Sequence, residues 1–410
     1  MGEVLHLHVG RELAGIFLPH TILLMVSILN PVIAESGVVR PTVAEVSLSR
    51  LTHNLRLIQR QVAPARVMAI LKANAYGHGL LEVAHHLVSL GVDYLGVAFL
   101  EEGILLRNAG ITTPILVLGG ILGDQIPLFL RHDLTLTASS VEKLRQIDQI
   151  AAQMGVLARV HLKIDTGMER IGVHYYNADT LFAAAARCRH CRVEGVFSHF
   201  ANADAADLTS AREQLARFEE ALRFFPRHGL PLPLRHMANS GAILQLPGSY
   251  FDMVRAGILL YGIYPSQEVP RTIPVRPALA WKSRVVYFKV VKPGHPVSYG
   301  STWTPETLSR VVTIPVGYGD GYFRGLSNHA QVIIRGRRYP VVGRVCMDQF
   351  MVNIGWDSAY NGDEVILLGE SGDQAITCAE VAEWAGTIPY EVLTNINTRV
   401  PRIYIRDNNH

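Results

Sequence analysis

Eight short apolar runs, separated by amphipathic stretches, dominate residues 67–260 of this 410-residue chain. Each run has the length of a buried strand, and they lie at 67–71, 94–98, 115–118, 134–136, 158–164, 193–197, 234–237 and 253–260. Helical patterns separate several of them, at 80–90, 141–154, 180–187 and 211–225. Strands that alternate with helices form parallel sheets, and eight such units predict a closed (β/α)8 TIM-type barrel.

Beyond Pro265 the pattern changes to short β-rich runs divided by glycine and proline. Strands are predicted at 281–291, 310–315, 331–334, 338–345, 350–354, 364–368 and 402–405, and helices at 378–384 and 390–396. The predicted fold class is therefore α/β, with an N-terminal (β/α)8 barrel over 41–265 and a C-terminal β-rich domain over 266–410. The run 42–48 also reads as a strand, and its partner in either domain stays open.

The first forty residues form an extension to this pattern. Residues 21–30 are apolar and uncharged, and the small residues up to Ala34 resemble a cleavage site. This run is too short to span a membrane. Two interpretations stay open: a signal peptide over 1–34, which implies an exported or periplasmic protein, or a start codon assigned too far upstream. In the second case we expect a cytoplasmic protein.

Charge and cysteine content exclude several classes of protein. The formal net charge is +3, and the basic residues are scattered along the chain, which argues against a nucleic-acid partner. Four cysteines are too few for a disulfide framework. Cys188 and Cys191 form a single CxxC motif beside His190, but a zinc site needs more ligands than this motif supplies. We therefore predict no metal and no membrane partner.

The stretch AILKANAYGHG, residues 69–79, places Lys72 directly after the first predicted barrel strand. Ammonium groups are rarely buried without a partner, so a lysine fixed at a strand end indicates a use for its amine, such as a Schiff base. The alternative is an ordinary surface lysine. Tyr76, Gly77 and Gly79 favour the first interpretation, because glycine lets backbone and a phenol approach a ligand closely.

Polar residues also follow the other predicted barrel strands, where the active sites of such barrels lie. They are Lys163, Asp165 and Arg170 after the fifth run, Ser198 and His199 after the sixth, Asn239, Ser240 and Gly241 after the seventh, and Arg255 and Gly257 in the eighth. Loops after the seventh and eighth strands commonly bind phosphate, so this pattern agrees with a phosphorylated cofactor. Alternatively, the glycines form plain turns and Arg255 forms a buried ion pair with Asp252.

Three motifs of the second domain place a reactive residue beside glycine or a strand end: PVSYGSTW, VGYGDGYFRG and GRVCMDQF. Taken alone, Tyr299 and Tyr318 read as half-buried structural tyrosines, and Cys346 as a small buried hydrophobe.

The motifs taken together resemble those of alanine racemases, the pyridoxal-phosphate-dependent racemases of fold type III. AILKANAYGHG, HLKIDTGMERIG, FSHF, ANS, DMVRAGILLYG, VSYG, VGYGDGY, CMD and PYEVLT occur in the order seen in that family. The resemblance covers nearly all of residues 40–406 and leaves only the N-terminal extension outside.

The resemblance implies a role for each motif residue. It implies two catalytic bases, Lys72 for D-alanine and Tyr299 for L-alanine, with Lys72 also holding pyridoxal 5'-phosphate in an aldimine. Arg255 would contact the pyridine nitrogen, and His199 would lie between Arg255 and Tyr299. The phosphate group would be held by Tyr76, Ser240, Gly257, Ile258 and Tyr390, the substrate carboxylate by Arg170 and the Met347 backbone, with supporting roles for Lys163, Tyr318 and Asp348. Lys163 matches a position that is carbamylated in some members.

The implied function is interconversion of L- and D-alanine, which supplies D-alanine for peptidoglycan, by a homodimer whose active sites take Tyr299 from the partner subunit. An amino-acid racemase of broad specificity is the alternative. A non-catalytic pyridoxal-phosphate carrier would resemble the barrel alone, so the second domain argues against it. A decarboxylase with the same two domains is disfavoured by Arg255 and the CMD motif.

Overall fold

The computed structural model describes residues 40–406. The two interpretations of the extension, a signal peptide over 1–34 and an upstream start codon, concern residues outside this range. Among the described residues, no helix combines the length and the apolar character that crossing a membrane requires.

Eight parallel strands form the predicted barrel. In chain order they are Arg66–Ile70, Tyr94–Val97, Ile115–Val117, Leu136–Ala138, Ala158–Asp165, Cys191–Phe197, Leu234–His236 and Met253–Ala256. The last strand pairs with the first, Val254 opposite Val67, and a parallel bridge between Leu116 and Thr135 joins the third strand to the fourth. The short strand Val173–His174 pairs outside this ring with the fifth strand. The predicted fold class, a (β/α)8 barrel followed by a β-rich region, is confirmed.

Helices cover the barrel between its strands. They are Leu48–Val62, Leu80–Ser89, Leu100–Asn108, Ile126–Arg131, Val141–Met154, Ala178–Ala185, Thr209–Leu222, Phe224–Arg227 and Ser240–Gln245. Local chemistry fixes several ends. Ser140 accepts a hydrogen bond from the Lys143 amide at the start of Val141–Met154, and Gly155 ends that helix in the left-handed region, at φ 66°.

The first seven barrel strands end within two residues of their predicted bounds, and the eighth is four residues shorter than predicted. The eighth strand ends at Ala256 and not at residue 260, because the backbone of Gly257 turns into the 3-10 helix Ile258–Tyr261. All four residues of that turn are buried, so their hydrophobicity imitates a strand. The fourth strand begins two residues later than predicted, at Leu136, although Thr135 already bridges to Leu116.

The second sheet has ten strands and is largely antiparallel. Nine follow the spatial order Tyr287–Val291, Ser309–Ile314, Phe350–Gly355, Arg337–Val342, Gln331–Ile334, Glu364–Ser371, Leu279–Arg284, Val43–Ser47 and Arg402–Ile405, and Gln374–Ile376 pairs with Glu364–Ser371. The strand Val43–Ser47 thus lies in this sheet and not in the barrel, antiparallel to Leu279–Arg284 and parallel to Arg402–Ile405. The helices are Cys378–Ala385 and Pro389–Asn395.

The predicted strand 281–291 is wrong in one respect, because the structure divides it into Leu279–Arg284 and Tyr287–Val291. Between them the Val285 amide donates to the Asp363 carbonyl and the Val286 amide to the Thr313 carbonyl, so the chain changes partners there. The sequence stays apolar through this crossover, so the pattern of apolar residues does not reveal the break between the two strands.

The strand Arg402–Ile405 contacts the turn that follows Lys72. The Tyr404 hydroxyl donates to the His78 carbonyl at 3.1 Å, and Arg402 Nε donates to the Gly77 carbonyl at 2.9 Å. Both turn glycines have positive φ, 79° at Gly77 and 100° at Gly79. A Cβ at Gly79 would overlap the Tyr404 hydroxyl, so this position requires glycine for space as well as for conformation.

Candidate active site

Lys72 lies at the carboxyl end of the first barrel strand and begins a left-handed turn. Residues 73–76 all have φ between 51° and 55°, although none of them is glycine. Such backbone costs about 1–3 kcal/mol per residue and persists only where surrounding contacts enforce it. Here the Ala73 amide donates to Glu102 Oε1 at 2.7 Å, and Asn74 Oδ1 accepts from the Leu80 amide at 2.8 Å. The strain fixes the direction in which the chain leaves Lys72.

The surroundings of Lys72 favour its neutral amine. Burial lowers the Lys72 pKa from its ordinary value, and the positive charges of Arg170 and Arg255 lower it further, while Glu102 acts in the opposite direction. A lysine of lowered pKa holds a larger neutral fraction near neutral pH, and the neutral amine is the nucleophile and the base.

Arg255, in the eighth strand, is buried at the centre of a hydrogen-bond network. Its Nη1 donates to His236 Nδ1 and to the His236 carbonyl, each at 3.0 Å. Its Nη2 donates to the Ser198 carbonyl at 2.7 Å, the Met237 carbonyl at 2.9 Å and His199 Nδ1 at 3.0 Å. Among the described residues Nε has no partner. The sequence alternative of an ion pair with Asp252 is wrong, because Asp252 pairs with Arg235 at 2.8 Å.

The network fixes the protons on two buried histidines that the sequence reasoning missed. Because arginine only donates, His236 Nδ1 must accept, and the ring proton lies on Nε2. That proton points to His161 Nδ1, 2.9 Å away, so the proton of His161 lies on Nε2. In the described part of the chain this last N–H is buried without a partner. Both histidines sit in strands of apolar character, and no sequence signal separated them from core residues.

Positive charge accumulates around this network. Burial and the charge of Arg170 lower the pKa of Arg255 to about 9, and burial followed by the charge of Arg255 holds the pKa of Lys163 well below its ordinary value. Lys163 lies 4.9 Å from the centre of the Phe197 ring and donates to the Ile164 carbonyl at 3.3 Å. The site therefore suits anionic groups such as phosphate and carboxylate.

A cradle of backbone amides and hydroxyl groups lies where the seventh and eighth strands end. Ser240 Oγ accepts from the amides of Gly257 and Leu259, each at 3.2 Å, and Ile258 begins the 3-10 turn between them. Amides at the start of a helical turn lack partners within the turn, which makes them anion donors. A Cβ at Gly257 would lie 2.9 Å from the Tyr76 hydroxyl, so the tyrosine closes against bare backbone here. Tyr390 of the second domain lies 6.1 Å from Tyr76, ring centre to ring centre.

Replacing Gly257 by alanine should weaken binding of pyridoxal phosphate by about tenfold, because the methyl group must displace the Tyr76 hydroxyl from the cradle. A spectrophotometric titration of the cofactor-free protein measures this affinity. Gly248→Ala is the matched control, since its Cβ would meet only Leu215 Cδ2, at 3.8 Å. Equal affinity in both variants would contradict the role of the bare backbone.

Apart from Tyr390, whose ring lies near that of Tyr76, the second-domain residues predicted for the site make no hydrogen bond or ring contact with Lys72 within the described chain: Tyr299, Tyr318, Met347 and Asp348. The side chains of Tyr299, Met347 and Tyr318 are 71%, 53% and 44% exposed. In residues 40–406, no hydrogen bond or ring contact joins Tyr299 to Lys72 or to His199. Asp348 Oδ1 accepts from Arg399 Nη2 at 2.7 Å, and the Met347 carbonyl accepts from the Gly319 amide at 2.9 Å.

The structure thus brings one group of predicted residues together and leaves another on the surface. The barrel end gathers Lys72, Tyr76, Lys163, His199, Ser240, Arg255, Gly257 and Ile258, with Tyr390 closing over Tyr76. Arg170 is exposed, and its charge acts on both Lys72 and Arg255. The fold, with a partly buried lysine where its first barrel strand ends, is typical of the (β/α)8-barrel enzymes.

Comparison with known proteins gives the family. The family model "Alanine racemase, N-terminal domain" matches residues 46–265, and "Alanine racemase, C-terminal domain" matches residues 278–404. The chain belongs to the alanine racemase family, whose members are isomerases that depend on pyridoxal phosphate.

Individual relatives match over nearly their whole length. An alanine racemase of Carboxydothermus hydrogenoformans is 44% identical over 368 residues, which is 89% of this chain and 100% of the relative. The solved alanine racemase of Clostridium difficile 630 superposes with a TM-score of 0.86 at 39% identity, over 90% of this chain and 97% of that one. The Bacillus anthracis alanine racemase with bound L-Ala-P gives 0.85 at 35% identity, over 91% and 97%.

Proposed function

We propose that this chain interconverts L-alanine and D-alanine with pyridoxal 5'-phosphate as its cofactor. The observation that carries the proposal is Lys72, an amine of lowered pKa at the carboxyl end of a barrel strand, held beside the anion-binding cradle of Ser240 and Gly257. Relatives named alanine racemase at 40–44% identity, and a solved relative with bound L-Ala-P, support alanine as the substrate.

The residues present fit pyridoxal phosphate. Tyr76, Ser240, Gly257, Ile258 and Tyr390 would hold the phosphate, and Lys72 would bind the aldehyde carbon covalently. The pyridoxal ring, when bound, supplies the electron sink that makes the α-proton of an amino acid removable. Arg255 would donate to the ring nitrogen through Nε, the guanidinium donor that the hydrogen-bond network leaves free. His199, held by Arg255 Nη2, completes the cofactor pocket.

Racemisation requires a proton acceptor on each face of the substrate, and one chain offers Lys72 for one face. Its lowered pKa suits Lys72 to take the α-proton of D-alanine, and to donate a proton to the same face when D-alanine is formed from L-alanine. Tyr299 is proposed as the base for L-alanine. Its hydroxyl has no hydrogen bond in the described part of its own chain, and its side chain is 71% exposed.

We therefore propose a homodimer in which each active site takes Tyr299 from the partner subunit. Tyr299, Tyr318 and Met347 are exposed, and Asp348, which follows Met347, pairs with Arg399 at 2.7 Å. Their segments are joined, because the Tyr318 amide donates to the Cys346 carbonyl at 3.0 Å and Ser298 Oγ lies 3.7 Å from Cys346 Sγ. Exposed apolar groups with a polar rim are typical of protein interfaces. In the dimer, His199 would donate from Nε2 to the Tyr299 oxygen, since its Nδ1 already accepts from Arg255.

Arg170 and the Met347 backbone are proposed to bind the substrate carboxylate, with Tyr318 and Asp348 supporting them. Lys163 is proposed to carry a carbamate, an anion that can pair with Arg170. Burial and positive neighbours lower the Lys163 pKa and so favour its neutral amine, and only a neutral amine adds to carbon dioxide.

Native mass spectrometry at neutral pH in bicarbonate should therefore find a carbon dioxide adduct on the wild type and none on Lys163→Arg, because a guanidinium does not form a carbamate. The exposed Lys292→Arg is the control and should keep the adduct. An unmodified wild-type mass would contradict the carbamate.

The proposed function is tested by incubating the protein with pyridoxal phosphate and L-alanine and measuring D-alanine. We expect wild type to form D-alanine, and Tyr299→Phe to lose about 10²-fold or more in kcat, since the phenylalanine ring cannot take a proton. Exchange of the D-alanine α-proton with deuterated water should persist in this variant, because Lys72 serves that face. Cofactor binding without D-alanine formation would contradict the proposal.

The broad-specificity alternative is separated by the same assay with L-lysine and L-arginine as substrates. We expect kcat/KM for both to fall well below that for alanine. We propose that the enzyme is cytoplasmic and that it supplies D-alanine for peptidoglycan. Comparable turnover of the long substrates would favour the alternative.

A further inference from the structure

The CxxC motif lies at the opposite end of the barrel from Lys72. Cys191 begins the sixth strand, and the His190 carbonyl accepts from the amide of Ala158, the first residue of the fifth strand, at 2.8 Å. Cys191 and the His190–Ala158 hydrogen bond thus lie at the amino ends of the strands, where this fold places stabilising features and not catalytic ones. The motif is therefore separate from the proposed racemase site.

The fold adds a carboxylate to the two thiols. Asp148, in the helix Val141–Met154, offers an oxygen that lies within 4.8 Å of both Cys188 Sγ and Cys191 Sγ, and the two sulfur atoms lie within the same distance of each other. Tetrahedral zinc with sulfur ligands at about 2.3 Å needs sulfur atoms about 3.8 Å apart. The three ligand atoms thus need only small shifts to surround one ion.

Backbone contacts fix the three ligands near one another. Asp148 Oδ1 accepts from the His190 amide at 2.7 Å, which ties the helix to the turn between the cysteines. Cys188 Sγ lies 3.5 Å from the Ala184 carbonyl, and Cys191, which is buried, has its Sγ 4.0 Å from the Leu144 carbonyl, one helical turn before Asp148. The Cys191 thiol also hydrogen-bonds to the side chains of Asp148 and Cys188, so the three ligand atoms face one another.

The neighbouring carboxylate distinguishes this cluster from a redox dithiol. Reactive dithiols lie beside positive groups that stabilise the thiolate nucleophile. Here the side-chain group within 4.8 Å of both sulfur atoms is the carboxylate of Asp148. A carboxylate beside two thiols suits a bound cation and not a stabilised thiolate nucleophile. Thiolate ligands together with one carboxylate suit soft or borderline divalent ions such as zinc and cadmium.

We propose that Asp148, Cys188 and Cys191 bind one divalent metal ion of this class, with water completing its coordination. The ion would link the helix Val141–Met154, the turn after the helix Ala178–Ala185 and the start of the sixth strand. This differs from the expectation of no metal, which rested on the two thiols alone, because Asp148 is distant from them in sequence and joins them only in the fold.

The test uses Cd²⁺ as the probe on pre-reduced, anaerobic full-length protein, followed by sulfur-to-cadmium charge-transfer absorption and by calorimetry. We expect about one ion per chain. Binding should vanish in Cys191→Ser and Cys188→Ser. It should weaken by about tenfold or more in Asp148→Asn, whose amide oxygen keeps the hydrogen bond from the His190 amide. Cys346→Ser is the matched thiol control and should bind as wild type does.

Further readouts keep a folding defect separate from a lost ligand. Circular dichroism should be unchanged in Asp148→Asn, and Cd²⁺ should raise the melting temperature of wild type but not of this variant. The proposal is overturned if wild type binds no cadmium, if binding survives Cys191→Ser, or if Asp148→Asn binds as tightly as wild type. It is also overturned if the two thiols form a disulfide so readily that reduced protein does not persist.

Discussion

Lys72→Ala should lose D-alanine formation by about 10³-fold or more in kcat/KM, the largest effect expected for a single substitution in this chain. Two functions disappear with the amine: the covalent attachment of the cofactor and the proton transfer on one face of the substrate. Burial and the charges of Arg170 and Arg255 lower the pKa of Lys72 and so favour its neutral amine. No other lysine in residues 40–406 occupies the end of the first barrel strand.

The control for this experiment is Lys292→Ala, which removes an exposed lysine of the second domain and should leave activity unchanged. A second readout is independent of turnover. Borohydride reduction of cofactor-loaded wild type, followed by peptide mapping, should place the pyridoxyl label on Lys72. Residual activity of Lys72→Ala above about a tenth of wild type, or a label on another lysine, would contradict the assignment.

Arg255→Met should combine a loss of activity with a loss of stability of about 3 kcal/mol or more. The substitution removes five hydrogen bonds from a buried guanidinium, to three carbonyl oxygens and two histidine nitrogens, and of these acceptors the His236 carbonyl keeps the Ser198 amide as a donor at 3.3 Å. Each buried polar group left without a partner costs about 1–3 kcal/mol. Urea unfolding followed by circular dichroism measures the change in the free energy of unfolding.

Two further variants serve as controls for the stability of Arg255→Met. Arg284→Met removes an exposed arginine that donates to the Gly362 carbonyl at 2.7 Å, and it should cost only about 0.5 kcal/mol. Arg255→Lys keeps a positive charge but cannot reach five acceptors, so we expect it to fold with reduced stability and impaired cofactor binding. Wild-type stability in Arg255→Met would show that the network is not a source of stability.

The barrel was predictable because its strands are buried on both faces, so that each appears in the sequence as a short apolar run with polar residues at its end. The same logic predicted Lys72 and Ser240 as site residues because they follow such runs, and Arg255 because it lies in the eighth run. It failed where tertiary contacts override the local pattern. The turn Ile258–Tyr261 is as apolar as a strand, and only the backbone of Gly257 redirects it.

Neither the hydrogen bonds of His161 and His236 nor the left-handed turn could be predicted from the sequence, for different reasons. His161 and His236 acquire their role only through contacts across the barrel, to each other and to Arg255. The residues 73–76 include alanine and tyrosine, which do not favour positive φ. Their conformation depends on Glu102, nearly thirty residues away, and on the packing of Gly77 against the backbone of Leu393.

The contact of the last strand with the turn after Lys72 has a consequence for biosynthesis. Arg402 and Tyr404 hold the carbonyls of Gly77 and His78, and their strand lies beside Val43–Ser47, near the opposite end of the sequence. The ribosome synthesises Arg402 and Tyr404 more than three hundred residues after Lys72, so these contacts cannot form before then. The barrel strands emerge first, but the lysine acquires its final geometry only with the last strand. Active-site geometry in this fold therefore reports that the strand Arg402–Ile405 has been synthesised and has docked.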